Sequence, residues 1–377
     1  MQPTNSVPVA EAAPEVDLDG VPGGSRFLRA CLRQPVDRTP VWFLRQAGRY
    51  MLEYREIRKH HSLVEICKQP EIAAEVTITA AEKLGVDAAI IFADLLLPLE
   101  PMGLDFEFQA GEGPVVHYPV RTADDVRALQ IDRAGELAYV AKAIEKVAAH
   151  FQNRLGIIGF CGAPYTLASY MIEGGGSKNY IHTKKMMYGD SSAWRSLLDK
   201  IVVVLTEYCR MQVEAGADVI QIFDSWVGSL GLADYREYAF EASQQLVRAV
   251  QQMGVPVIYF GVETAGLLKQ MAATGADVIG LDWRQPLDEG WRAVGYGHAV
   301  QGNLDPITLF APPEILEQRV HEILRAADGR VGHIFNLGHG IVPNTPVESV
   351  QAVVRMVKEF RLRPANLVLA NLEPAHE

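Results

Sequence analysis

Cysteine is scarce in this 377-residue chain, and its placement excludes more than its number does. Cys31, Cys67, Cys161 and Cys209 lie far apart, with no CxxC and no Cys beside His at metal-ligand spacing. Neither a disulfide framework nor a metal site is therefore expected; buried free thiols in a reducing cytosol are. Positive charge is also in short supply. A net charge of −11 argues against nucleic acid held by bulk electrostatics, so an anionic ligand would need a local basic cluster. No apolar run approaches the roughly 18 residues of a membrane span, which predicts a soluble protein without a membrane partner. The first 24 residues hold Glu11, Glu15, Asp17 and Asp19 but no Lys or Arg, unlike a signal or transit peptide. Residues 1–24 are expected to form a disordered acidic arm, and the chain to stay in the cytoplasm.

Two nucleotide motifs are missing as well. No GxGxxG follows the first apolar run, which disfavours a doubly wound open sheet. The EGGGSKNY segment (173–180) has the order Gly-Ser-Lys without the GxxxxGK[ST] of a phosphate loop. It is expected to be either a flexible lid that carries Lys178 towards an anionic ligand or a plain loop.

What the chain does contain is a rhythm. Apolar residues make up 49% and charged ones 21%, enough to supply a large core. Eight short apolar runs recur: 40–44, 87–93, 155–160, 217–223, 256–261, 276–282, 297–304 and 333–338. Most are continuously apolar, as expected of strands buried on both faces of a parallel sheet. Helical patterns fill the intervals. PEIAAEVTITAAEKLG opens with Pro70, runs Ile72, Val76, Ala80 and Leu84 down one side, and stops at Gly85. Others cover about 133–150, 193–215, 232–253, 312–327 and 345–360. Eight strands alternating with helices predict an α/β fold, a single-domain (β/α)8 TIM barrel over residues 25–362 followed by a tail, 363–377. FEFQAGEGPVVHY (106–118) breaks the rhythm with period-2 runs around a Gly-rich turn, predicting a small β-hairpin inserted after the second strand.

In such a barrel the chemistry lies where the strands end. The first run leads into Arg45-Gln46-Ala47-Gly48-Arg49-Tyr50, the second into Asp94, and the third into Cys161-Gly162-Ala163-Pro164-Tyr165-Thr166. Later runs end in Asp224-Ser225-Trp226, Asp282-Trp283, Asn303 and Asn336-Leu337-Gly338-His339-Gly340. Two arginines four apart on one loop suit carboxylates, because guanidinium forks bind them bidentately and stay charged; the bland alternative is a surface pair in salt bridges. Asp94 emerges at an apolar mouth and must find donors or a cation. It is either an anionic anchor for substrate N–H groups or reaction charge, or the partner of Arg45 or Arg49 in a structural ion pair. His339 between two glycines can donate to a carboxylate or relay a proton, or be structural. The His60-His61 pair sits in a charged stretch and reads as solvated.

PVWFLRQAGRYMLEYR (40–55) and GFCGAPYTLASYMIEGGGSKNY (159–180) resemble two signatures of the uroporphyrinogen decarboxylase family. The likeness continues through IIFADLLLPLEPMG, QIFDSWVGSLG, QGNLDP and FNLGHGI, spanning roughly residues 25 to 360 in order. Phe43-Leu44 before the RQAGR run and Met51-Leu52 after it depart from the usual pattern by apolar exchanges. The resemblance implies a homodimeric barrel that converts uroporphyrinogen III to coproporphyrinogen III with loss of four CO2 and no cofactor or metal. It implies that Arg45 and Arg49 hold substrate carboxylates, that the Gln46, Ala47 and Gly48 backbone lines the site, and that Asp94 accepts from the pyrrole N–H groups. Tyr170, Ser225 and His339 would meet the acetate and propionate arms. Asp94, with Arg45, is the expected catalytic group. The proton donor stays open among Arg45, His339, Tyr170 and a relayed water. Two other readings compete: a zinc-dependent corrinoid-type barrel methyltransferase, and a non-catalytic tetrapyrrole carrier.

Overall fold

The computed structural model describes residues 25–109 and 113–361. The expected acidic arm and C-terminal tail lie outside the described residues, as does the tip of the hairpin. Among the described residues, β1 (Ala88–Ile90), β4 (Gly156–Gly162), β5 (Val219–Asp224), β6 (Val257–Gly261), β7 (Val278–Gly280), β8 (Ala299–Gln301) and β9 (His333–Ile334) pair in that order, all parallel. In between, β2 (Phe106–Gln109) and β3 (Gly113–Val116) form the expected antiparallel hairpin.

The first expected strand, 40–44, is reduced to one bridge, Val41 to Phe335, and that bridge closes the ring. On one side Phe335 N–H donates to Pro40 (2.9 Å) and Trp42 N–H to Phe335 (3.3 Å); on the other, Asp87 N–H donates to Val41 (2.8 Å). The segment stops short because the chain turns at Leu44-Arg45, where Leu44 N–H donates to Asn336 Oδ1 at 2.9 Å. Inside the ring, Trp42 Nε1–H donates to Gln301 Oε1 (3.0 Å) and Gln301 Nε2 donates to Gln221 Oε1 (3.3 Å). These residues sit on strands that are not neighbours, so the amide chain crosses the interior of a closed barrel filled by side chains.

The helices form the outer layer. Pro70–Leu84 ends at Gly85 in the left-handed conformation (φ 68°), as its cap pattern predicts, and packs against Ala138–Phe151. The helix expected at 232–253 is interrupted by a π-helical turn, Tyr235–Ala239, which seats the buried Tyr235 hydroxyl 3.3 Å from that of Tyr259. The hairpin is tied down by Val116 N–H donating to Gly174 at 2.8 Å.

Three strands share a lower-rim pattern: Gly85-Val86-Asp87, Gly216-Ala217-Asp218 and Gly275-Ala276-Asp277 precede β1, β5 and β7. Each Asp reaches sideways to a neighbouring chain segment. Asp87 accepts from Val41 N–H (2.9 Å), Asp218 from Ile157 N–H (2.8 Å) and Asp277 from Val257 N–H (2.8 Å). Arg38 adds a two-pronged contact to Asp87 (2.7 and 2.7 Å) and Arg26 a third at 3.1 Å. All four cysteines are buried as free thiols, with Cys161 and Cys209 Sγ atoms 3.6 Å apart.

Candidate active site

The upper ends of the strands bring the arginine loop, Asp94, Tyr170, Ser225 and His339 into one mouth. Arg45 is held in a left-handed backbone conformation (φ 61°). Its chain passes so close to Gly340 that a Cβ there would meet Arg45 Cδ at 2.5 Å, so the two loops fit only because position 340 lacks a side chain. Arg45 and Arg49 are both exposed, and neither makes an ion pair among the described residues. Gln46 is buried at 1% exposure and its side chain is turned inward. It accepts from Phe43 N–H (3.3 Å) and donates to Ala88 (3.1 Å), while its carbonyl accepts from Tyr50 OH at 2.6 Å. The loop is thereby fastened to β1, with Ala47 and Gly48 half-buried beside the site.

Asp94 follows β1 and is half-buried at its end. One carboxylate oxygen accepts from Leu96 N–H at 2.9 Å; the other has no hydrogen-bond partner among the described residues. Burial pushes the carboxyl up to about 6, against the opposing pull of the Leu96 amide and of the nearby Arg45 charge. Arg45 therefore acts on Asp94 through space, without forming an ion pair.

Tyr170, on helix Pro164–Glu173, lies close enough to Asp94 and Arg45 to feel both, and burial holds its phenol protonated well above the ordinary range. Its ring stacks on Trp226, with centroids 3.7 Å apart and planes 31° apart, and Tyr180 meets the same indole edge-on at 5.2 Å. Ser225, half-buried between Asp224 and Trp226, makes no side-chain hydrogen bond among the described residues. Across the mouth, His339 is half-buried, and burial together with the Arg45 charge lowers its imidazole below the usual value. At neutral pH it is a neutral donor and acceptor. Its ring stands edge-on to Trp283 at 5.8 Å.

Other residues shape this mouth: Asp224, Trp226, Asp282 and Asn336 stand at strand ends in the sequence, but their contacts, and Arg284, have no mark there. Arg284 lies over the Trp283 ring at 3.8 Å while bridging Asp282 (2.5 Å) and Glu263 (3.2 Å). Asp224 is fully buried beneath Ser225, and burial pushes it up to about 6 although Thr166 and Tyr259 both donate to it. The Asp-Ser-Trp run after a buried strand was the available signal for Trp226. Asn336 Oδ1 accepts from both Leu44 N–H (2.9 Å) and Leu337 N–H (2.8 Å), joining the arginine and histidine loops. Lys178 is exposed on the loop that follows the Tyr170 helix, without a partner among the described residues.

No group of three or more His, Cys, Asp or Glu side chains placed to share a metal ion occurs among the described residues. No helix there is long and apolar enough to cross a membrane.

Comparison with known proteins gives the same outline. The uroporphyrinogen decarboxylase family model matches residues 23–360. The uroporphyrinogen decarboxylase of Koribacter versatilis is 61% identical over 337 residues, covering 89% of this chain and 96% of that protein. Its counterpart in Solibacter usitatus is 54% identical over 340 residues, covering 90% and 99%. Among solved structures, a methyltransferase from Methanosarcina mazei superposes with a TM-score of 0.72 at 23% identity, covering 89% of this chain and 97% of that one. At that identity the likeness is one of fold alone.

Proposed function

The chain belongs to the uroporphyrinogen decarboxylase family, and from that premise we propose that it removes the four acetate carboxyls of uroporphyrinogen III as CO2, giving coproporphyrinogen III. The observation that carries the mechanism is Asp94: a carboxylate at an apolar mouth, with one oxygen held and the other uncommitted.

Decarboxylation needs an electron sink, and a pyrrole protonated at its α-carbon serves as its own. The C–C bond of the acetate arm then breaks, its electron pair neutralises the ring, and CO2 leaves. The resulting exocyclic methylene takes up a proton to become methyl as the ring proton is lost. Asp94 accepts from the pyrrole N–H groups and faces a positive charge that exists only after protonation. A carboxylate fixed in a poorly hydrated site stabilises that cation more than the neutral ground state, which is the condition for catalysis. Arg45 and Arg49, exposed and without an ion pair among the described residues, supply forks for substrate carboxylates. Tyr170, Ser225 and His339 offer neutral polar groups to the remaining arms. Burial raises the Tyr170 phenol and lowers the His339 imidazole, so neither is a ready acid at neutral pH, and an arginine gives up its proton reluctantly; the proton donor stays open among Arg45, His339, Tyr170 and a relayed water.

In this reading the protein is a cytoplasmic homodimer, as the family resemblance implies, and four buried free thiols suit a reducing compartment. The test is anaerobic incubation of the purified protein with uroporphyrinogen, without added cofactor, following loss of carboxyl groups by chromatography. Conversion to the tetracarboxylated product is expected, and absence of turnover would overturn the reading.

A further inference from the structure

The Tyr170 ring is held from behind by a buried polar joint whose parts come from four elements: the Tyr170 helix, β5, β6 and helix Phe240–Gln251. Thr166 lies four residues before Tyr170 on helix Pro164–Glu173, and so on the same helix face. It is fully buried. Its hydroxyl donates to Asp224 Oδ1 at 2.6 Å and accepts the Trp226 backbone N–H at 3.2 Å. The other Asp224 oxygen accepts from Tyr259 OH on β6 at 2.7 Å, and that hydroxyl is met in turn by Ser243 at 3.2 Å. Thr166 thus locks the Tyr170 helix to the end of β5 and sets where residue 226 begins. The indole of that residue stacks on Tyr170 at 3.7 Å. Besides the two Thr166 hydroxyl bonds, the Thr166 backbone also meets the Asp224 carboxylate, and Tyr165 meets Ser229 farther along.

We infer that Thr166, backed by Asp224, is a positioning residue: by fixing Trp226 against Tyr170 it holds the Tyr170 phenol at the Asp94 side of the mouth. The inference rests on the proposed decarboxylation, in which Tyr170 meets the substrate. A buried hydrogen bond to a carboxylate has a steep dependence on geometry, so its loss lets the helix and the turn shift relative to each other without unmaking the barrel. The consequence falls on the reaction step more than on substrate capture, because Arg45 and Arg49 sit on a different loop.

The test is a double-mutant cycle in anaerobic uroporphyrinogen turnover with Thr166→Val, which keeps the shape and removes both hydrogen bonds, and Tyr170→Phe. Thr166→Val is expected to lower kcat about tenfold with KM little changed, the loss of one charge-assisted hydrogen bond converted to a rate. Thr166→Ser, which keeps the hydroxyl, should restore most of that loss. In the Tyr170→Phe background, Thr166→Val should cost about twofold or less, because the group it positions is already gone. Independent, additive losses would overturn the inference, as would unchanged kcat in Tyr170→Phe alone. If Thr166→Val does not fold, Trp226→Phe, which leaves the joint intact and thins the stack, enters the same cycle with the same expectation, and additivity there overturns it too. A wild-type protein without turnover overturns the decarboxylase reading, and the inference with it, whereas active wild-type protein with additive variants overturns the positioning role alone.

Discussion

At the lower rim of the barrel Asp87, Asp218 and Asp277 each accept a backbone N–H from the adjacent chain segment, whereas at the upper rim Asp94, Asp224 and Asp282 follow the same three strands and behave differently. The lower carboxylates stitch one segment to the next, and Asp87 is further enclosed by Arg38 and Arg26. Of the upper three, Asp282 pins the Glu263 and Arg284 amides, Asp224 is buried under hydroxyls, and Asp94 keeps an oxygen uncommitted. One residue type thus serves cohesion at one end and, in the proposed reaction, chemistry at the other. The difference lies in where the carboxylate stands: at the lower rim its bound oxygen joins one chain segment to the next, while at the mouth the uncommitted oxygen of Asp94 stands where a ligand can reach it.

Exchanging the two roles in single variants tests this contrast. The largest effect is expected for Asp94→Ala, which should lower kcat by on the order of a hundredfold or more while the melting temperature changes little, by analogy with the removal of a transition-state contact. Near-normal turnover in steady-state assays would assign Asp94 to structure. Asp87→Asn should do the reverse. Breaking its contacts with two arginines should cost about 2–3 kcal/mol of stability, seen in denaturant titration, with kcat of the folded protein unchanged.

The pH profile sharpens the contrast next. Burial raises Asp94 to about 6, so it is anionic above that pH and neutral below it, and cation stabilisation is lost as pH falls. The kcat/KM profile, which reports the free protein, should show an acid limb with a midpoint near 6, falling about tenfold from its plateau by pH 5 for a single group. The stability linkage has the opposite sign. A carboxyl whose folded value is raised from 3.8 binds its proton more tightly when folded, so Asp94 and Asp224 disfavour the native state as pH rises from about 4 to 6. Flat kcat/KM between pH 5 and 7 would remove Asp94 from the reaction. The smallest effect is expected for Arg49→Lys, which should raise KM about fivefold with kcat nearly intact, because the lost bidentate contact is shared by bound substrate and transition state. A change confined to kcat would contradict that assignment.

Much of this molecule is legible in one dimension. The continuously apolar runs at 155–160, 217–223 and 256–261 become β4, β5 and β6 because a strand covered on both faces tolerates no alternation. Helix Pro70–Leu84 begins and ends where its Pro and Gly predict. The RQAGR loop, Asp94, Ser225 and His339 are legible as a site because every one of them follows a buried strand. The run at 40–44 is overextended, since the turn at Arg45 depends on Asn336, a residue from the far end of the chain. The single helix expected at 232–253 misses its π-helical turn, where the Tyr235 hydroxyl meets that of Tyr259.

What the sequence by itself determined is therefore the list of elements and the chemistry at their ends, because hydrophobic period and cap residues act over a few neighbours. Only the tertiary structure decided which carboxylates join chain segments at the lower rim and which stands at the mouth beside Arg45. It also decided that Trp226 stacks on Tyr170, that Arg284 is spent on Asp282 and Glu263, and that Gly340 makes room for Arg45. Those outcomes depend on barrel closure, which brings together residues distant in the chain and sets the burial that gives each charge its role.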